Sequence, residues 1–347
     1  MYIKHILGRP PSQGTVNQDF IIIIQSNTGV KHLKNNAFNE DLSDYDNMAD
    51  LCYSWLYSRL HFFISKYVMK IYNPSRILDI GCGTGFQSFL YAFGGSSVVG
   101  IDVSENMIKS AMNKRKSFLA NDKLILFPAN FHFVTRYNEI INYLIRQRSN
   151  YKKYSSPSFL VCNIHRLPFP DEYFSHINSC GSVLSLVEHS HLALKELTRV
   201  LKPGGTLLIE VESKWNMDRF WALFDVLLRN KLGYWTSLKE ACQPFSSPTK
   251  NISINYPYGE HDNPINIRIN LFTNTYLKQE FSGLNLKVIK RWTILSITNF
   301  IPSPILDTNR PSPFLKNLFR ALSFLEESFP FSFPGCTSAY FLRKISR

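Results

Sequence analysis

The sequence predicts an α/β fold, a doubly wound and mostly parallel sheet, and three observations carry that prediction. Arg76 to Gly85 reads Arg-Ile-Leu-Asp-Ile-Gly-Cys-Gly-Thr-Gly, an apolar run of strand length that passes straight into a loop with glycine at every second position. Phe86 to Phe93 follows as a helix-length segment, and Val98 to Ile101 is a second apolar run closed by Asp102. Strand, glycine turn, helix and strand in that order form the first half of a nucleotide-binding βαβ unit.

Each element has its own reason. Ile77, Leu78 and Ile80 leave no polar position except Asp79, as expected of a strand covered on both faces and ending at that acid. Gly81, Gly83 and Gly85 lack Cβ atoms, so the chain can take positive φ and a ligand can lie on bare main chain. The free N–H groups opening the Phe86 helix point back at the same place. Asp102 comes 17 residues after Gly85, where a carboxylate accepts both hydroxyls of a ribose. By itself, a glycine triplet is equally what a tight turn looks like.

Two later stretches narrow the choice: Leu167-Pro-Phe-Pro-Asp171 and Val200-Leu-Lys-Pro-Gly-Gly205. With Asp79, the GxGxG spacing and Asp102, they make the chain resemble the class I S-adenosylmethionine-dependent methyltransferases (methyltransferase type 11-like), closely from Tyr45 to Ser213 and loosely beyond. The resemblance implies a Rossmann-like sheet of seven strands with an antiparallel last strand, plus helical and aromatic cap insertions. It implies S-adenosylmethionine as cofactor, held by Asp79, Gly81, Cys82, Gly83, Gly85, Asp102, Val103, Asn163, Ile164 and Cys180. The family usually ends its third strand in an acid that accepts from the adenine amino group; Asn163 stands there, and its side-chain oxygen can also accept. Tyr45-Asp46 resembles the pair that opens the family's leading helix, and an ordinary amphipathic helix is the other reading.

In chain order, residues 1-43 form an extension and 44-347 the catalytic domain, with a basic insertion at 121-157 and a cap insertion at 214-270. Ser104 caps a helix through about Phe118. Phe159 to Asn163 is the third strand and Phe174 to Ser179 the fourth. His191 to Leu201 is a helix and Thr206 to Val211 the fifth strand. Met217, Phe220, Trp221, Phe224, Leu227 and Leu228 give the cap an amphipathic helix. Tyr256 to His261 reads as a polar loop turned by Pro257 and Gly259. Thr275 to Phe281 is a crossover helix, and Leu286 to Ile297 and Thr337 to Ile345 are the last two strands. Between those strands, Leu315, Leu318, Phe319, Leu322 and Leu325 lie on one helix face, for core or lid packing or for contact with a membrane surface.

Composition sets the remaining bounds. Of 347 residues, 44% are hydrophobic and 19% charged, which excludes a disordered chain. Six cysteines without a CxxC pair or framework spacing favour free thiols and a cytoplasmic location. No apolar run is long enough to span a membrane. The net charge of +13 suits nucleic acid, an anionic membrane surface or an acidic substrate.

Transfer of a methyl from a sulfonium disperses charge, so positioning supplies most of the catalysis. His189 and His191, just past the fourth strand, are the candidate base, with ordinary surface or capping roles as the alternative. Tyr45, Tyr256, Tyr258 and His261 are candidate acceptor contacts, and no metal is expected. Asn178-Ser-Cys-Gly181 replaces the Asn/Asp-Pro-Pro-aromatic run of enzymes that methylate exocyclic amines. The reading is a methyltransferase of a small apolar or aromatic metabolite. The alternatives are an RNA or protein methyltransferase using the basic insertion, and a non-catalytic cofactor-binding protein.

Overall fold

The computed structural model describes residues 59–121, 156–234, 236–258, 265–306, 312–328 and 334–346. The extension, the start of the leading helix expected at Tyr45-Asp46 and nearly all of the basic insertion lie outside these residues.

Five strands run parallel: β1 (Arg76–Ile80), β2 (Ser97–Asp102), β3 (Ser158–Val161), β4 (Phe174–Ser179) and β5 (Leu201–Glu212). After the hairpin β6 (Ile252–Tyr258) and β7 (Ile265–Leu271) come β8 (Leu286–Ile294) and β9 (Thr337–Lys344). The main sheet has the order β3-β2-β1-β4-β5-β9-β8, and β9 is antiparallel to both neighbours. This is the predicted fold. The carboxyl ends of β1, β4, β5 and β8 and the amino end of β9 therefore share one edge of the sheet.

The helices are α1 (Phe86–Phe93), α2 (Glu105–Asn121), α3 (Val183–Leu186), α4 (Ser190–Val200), α5 (Met217–Leu227), α6 (Leu238–Ser246), α7 (Asn274–Gly283), α8 (Ser303–Leu306) and α9 (Pro313–Ser328). One face of the sheet packs Leu78, Ile80, Leu207 and Ile209 against α3, α4 and α7. The other packs Ile77, Leu208 and Phe341 against α1, α9 and a leading helix whose wide turns run over Ile64–Tyr72. Alternate residues of β1 and β5 thus serve opposite cores, which is why their sequences are nearly continuous apolar runs.

The Leu167 to Asp171 stretch has a structural purpose. Leu167 and Phe169 are buried, and Arg199 of α4 donates to the Leu167 and Phe169 carbonyls, to Asp171 at 2.7 Å and to Glu196 at 2.7 Å. Glu196 in turn accepts the Leu167 N–H. Arg199→Ala should cost about 2 kcal/mol, the scale of lost charge-assisted bonds. Urea denaturation reads that loss, and limited proteolysis should show new cleavage within 165–171.

Several boundaries differ from the sequence reading. Helix α2 continues to Asn121, and β5 starts at Leu201, because α4 ends where Leu201 turns extended to pair with Phe174. Strand β8 stops at Ile294, where Leu295 takes positive φ. The first part of the polar stretch expected as a loop is strand, Tyr256, Pro257 and Tyr258 pairing with Ile267, Asn266 and Ile265, and its remainder at 259–261 lies outside the described residues. Pro257 is tolerated there because a two-stranded hairpin is all edge.

The larger correction concerns α5; in α9 the expected core packing holds for Leu315, Phe319 and Leu322. Helix α5 buries Asp218, Ala222 and Asp225, whereas Phe220, Phe224 and Leu227 of its apolar stripe face out. Helix α9 buries Phe319, Ser323 and Glu326, and Leu318 and Leu325 are exposed. The polar residues face inward because backbone donors await them. Asp218 accepts from Ser303 N–H and from the Ser303 and Tyr234 hydroxyls, Asp225 from the N–H groups of Leu232 and Tyr234, and Glu326 from those of Ser296, Ile297 and Thr298.

Candidate cofactor and acceptor site

The loop after β1 has the conformation its glycines permit. Gly81, Gly83 and Gly85 have φ of 62°, 54° and 87°. A Cβ on Gly81 would lie 2.3 Å from Val183 Cγ2, and one on Gly85 2.7 Å from the Phe159 ring. The missing side chains thus serve both dihedral and space. Gly85 N–H closes the turn onto the Cys82 carbonyl at 2.9 Å, and α1 begins at once.

Asp102 ends β2 beside this loop. Its carboxylate accepts Gly83 N–H and Ser104 N–H, both at 2.9 Å, so it already orders the loop while acceptor capacity remains for a hydroxyl donor. Burial raises its pKa, and the backbone N–H bonds offset part of that rise. Ser104 caps α2 as predicted, accepting Met107 N–H at 3.3 Å. Lys114 reaches back from α2 to the Thr84 hydroxyl at 2.7 Å.

Asp79 lies beneath the loop rather than on its surface. It is fully buried and accepts from Ser88 Oγ at 2.6 Å and Asn178 Nδ2 at 2.7 Å. Burial pushes its carboxyl up to about 6 against the pull of those two bonds. The chain of bonds continues: Asn178 also donates to Gln87 and accepts from the Tyr91 hydroxyl, which lies 3.3 Å from His176 Nε2. His176 meets Thr206 on β5 at 2.8 Å, and burial lowers its pKa to about 3, so its ring is neutral. This network ties α1 to three strands. The period-two positions of Asp79, His176 and Asn178 were its only trace in the sequence.

The remaining candidates are dispersed. Cys82, Ile164 and Cys180 are buried, and Val103 is exposed beside Asp102. Asn163 lies in the turn after β3, where its side-chain oxygen accepts His165 N–H at 2.9 Å and faces His165 Nδ1 at 2.8 Å. His189 is the N-cap residue of α4 and His191 stands in its first turn; both are exposed, with ring centroids 6.4 Å apart. Tyr45 and His261 lie outside the described residues, as do the side chains of Tyr256 and Tyr258. No group of three or more metal-ligating side chains occurs among the described residues.

A second polar cluster at the same sheet edge went unread. Ser182, held at φ 56° after β4, donates its N–H to Glu210 at 2.6 Å, and its Oγ lies 3.0 Å from Glu210 Oε1 and 2.6 Å from Glu212 Oε1. One hydroxyl hydrogen cannot serve two carboxylates. A second proton must therefore sit on one carboxyl for both contacts to be hydrogen bonds. Burial and the neighbouring Glu210 charge push Glu212 up to about 8, and burial raises Glu210 too, so the pair shares that proton at neutral pH. Glu210 and Glu212 alternate with Leu208, Ile209 and Val211 in a strand that otherwise reads as core, and only the fold brings Ser182 between them.

A cavity of about 190 Å³ lies beside β5 and β9, lined by Trp215, Phe272, Asn274, Arg291 and Tyr340 among others. It is two strands from the glycine loop and smaller than the roughly 300 Å³ at which ligand pockets begin. No acceptor is assigned to it.

Residues 54–291 match the profile of a methyltransferase domain. Curated relatives include the ubiquinone/menaquinone biosynthesis C-methyltransferase UbiE of Bordetella parapertussis, 28% identical over 177 residues, 50% of this chain and 54% of that protein. The UbiE of Burkholderia mallei is 27% identical over 181 residues, 51% and 59% of the two chains. The chain therefore spans little more than half the length of these relatives. Among solved structures, the [4+2]-cyclase SpnF has a TM-score of 0.47 and 17% identity, covering 86% of this chain and 84% of its own. An S-adenosylmethionine-dependent methyltransferase from Clostridium acetobutylicum has a TM-score of 0.46 and 14% identity, covering 89% and 99%. With its profile matched over more than half its length, the chain belongs to the methyltransferase-domain family.

Proposed function

We propose that the protein transfers a methyl group from S-adenosylmethionine to a small, largely apolar or aromatic acceptor at the carboxyl edge of the sheet. The observation that carries this reading is the pairing of a bare-backbone glycine loop with Asp102, whose oxygens are ordered by Gly83 and Ser104 and keep acceptor capacity for a ribose. When bound, the cofactor supplies an electrophilic methyl group. The chain's own part is to hold and orient. Gly81 to Gly85 present main-chain donors, Asp102 accepts hydroxyls, and Asp79 fixes the loop from below through Ser88 and Asn178. Asn163, Ile164, Val103 and Cys180 complete the cofactor contacts in this proposal. The acceptor meets the methyl group beyond β4 and β5, where His189, His191 and the proton shared by Glu210 and Glu212 are the groups that can exchange protons. Tyr45, Tyr256, Tyr258 and His261 are proposed acceptor contacts, and the division into an extension and a domain with two insertions belongs to the same reading.

The UbiE relatives support methylation of a small molecule at the level of their names and limited coverage. A cytoplasmic location rests on the cysteines, of which the five described are free. No helix among the described residues is long and apolar enough to cross a membrane. The RNA or protein reading rests on the basic insertion, and a non-catalytic protein would bind the cofactor without turnover. Calorimetry with S-adenosylmethionine tests the core of the proposal: Asp102→Ala should weaken binding by about 1 to 3 kcal/mol. Unchanged affinity in that variant, or no binding by the folded wild type, sinks the proposal. Labelled cofactor offered to separate lipid, RNA and protein extracts then decides the acceptor class.

A further inference from the structure

We infer that the outward faces of α5 and α9 form a docking surface for an anionic lipid bilayer, seated over the edge of the sheet that carries the candidate site. Helix α5 turns much of its apolar stripe outward, and α9, with Leu315, Phe319 and Leu322 on the core, carries large apolar side chains on its outer face as well. Their acidic residues are spent on backbone and hydroxyl donors within, while Phe220, Leu227, Phe314 and Phe324 are 51%, 74%, 75% and 69% exposed. Both are fastened to one turn. Trp221 Nε1 donates to the Asn299 carbonyl, Asp218 accepts from Ser303, and Glu326 of α9 caps Ser296 to Thr298 from the other side. The exposed rings of the two helices therefore flank a common segment, to which Phe300 adds another half-exposed ring. Leaving that much aromatic surface in water is unfavourable by roughly 25 cal/mol per Å².

Charge selects the occupant. Arg229, Lys231 and Lys239 follow α5, and Lys316 and Arg320 lie on α9, all exposed. Of the described acids nearby, Asp218, Asp225 and Glu326 are buried, Glu327 faces Arg59, and Glu240 stays exposed as a single negative charge, accepting from Ser237 in a capping box, against the five cations. Apolar rings set among cations, on a chain of net charge +13, match the polar boundary of a membrane rich in acidic headgroups. A second copy of the chain would bring the same cations face to face. Contact at this edge would also place the candidate site next to the lipid phase, although the docking argument does not depend on the methyltransferase reading.

The test is co-sedimentation of the full chain with vesicles of phosphatidylcholine alone and with added phosphatidylserine. The expected result is capture by the serine-containing vesicles, weakening with salt. The double substitution Phe224→Glu, Leu227→Glu should lower capture about tenfold or more, because two insertions into lipid are replaced by charges that repel it. Both positions are exposed, so the variant should keep its near-ultraviolet circular dichroism and its S-adenosylmethionine affinity. Capture unchanged in the double variant would show attraction of net charge alone and overturn the inference. No capture, with a dimer that the double variant dissociates, would assign the face to a second copy. No capture by a monomer would mean that the chain covers the face itself.

Discussion

Gly81→Ala is expected to lose S-adenosylmethionine binding by about a hundredfold or more and to destabilise the protein by about 2 to 4 kcal/mol. Two separate costs combine. At φ 62° an L-residue strains the backbone by about 1 to 2 kcal/mol. The added methyl, 2.3 Å from Val183 Cγ2, must also push back the start of α3, and Val183 is β-branched and cannot simply rotate away. Adding Val183→Ala separates them. The double variant should recover the steric part of the stability and little of the binding, because the dihedral strain remains in the loop that must accept the ligand. Calorimetry and urea denaturation of the three variants measure both quantities. Wild-type affinity in Gly81→Ala would show that the loop is only a turn.

Glu212→Gln should raise stability at alkaline pH and leave it nearly unchanged in acid. The folded pKa of about 8 lies above the ordinary 4.5, so Glu212 stabilises fully below about pH 4.5 and that contribution is lost as pH rises through 8. Over this window the unfolded chain releases a proton that the folded chain retains. At about 1.4 kcal/mol per pH unit the loss reaches at most about 5 kcal/mol, less whatever Glu210 shares. Glutamine keeps a donor facing Ser182 Oγ and does not ionise, so the variant should not lose stability through this group. Urea midpoints at about pH 5 and about pH 9 check the sign. Equal slopes for both proteins would mean that the proton is elsewhere. Isotope-edited infrared spectroscopy should show the wild-type carboxylic acid C=O band vanish on the same titration.

Much of the cofactor half was legible because local chemistry specifies it. A glycine in every second position, an acid at the end of each flanking strand and a serine cap at 104 are requirements of adjacent backbone, and each is a residue type at a fixed spacing. Strand and helix periods gave β1, β2, β4 and α1 within a residue for the same reason. The acceptor side lacked such signals. Ser182 meets Glu210 and Glu212 across two strands, Asp79 is linked to His176 through Asn178 and Tyr91, and neither link joins residues close in sequence.

The case of α5 and α9 marks the boundary most clearly. The sequence determined that each is an amphipathic helix with a continuous apolar stripe, because that follows from the 3.6-residue period alone. It also determined the doubly wound sheet and the loop that can hold a nucleoside. Which residues of each helix face the protein was decided only in three dimensions: α9 keeps Leu315, Phe319 and Leu322 on the core, while α5 turns Phe220, Phe224 and Leu227 out, since burial depends on what the opposing surface offers. There, unpaired N–H groups at residues 232, 234, 296, 297, 298 and 303 draw Asp218, Asp225 and Glu326 inward, because leaving a buried donor unmet costs about as much as exposing a ring.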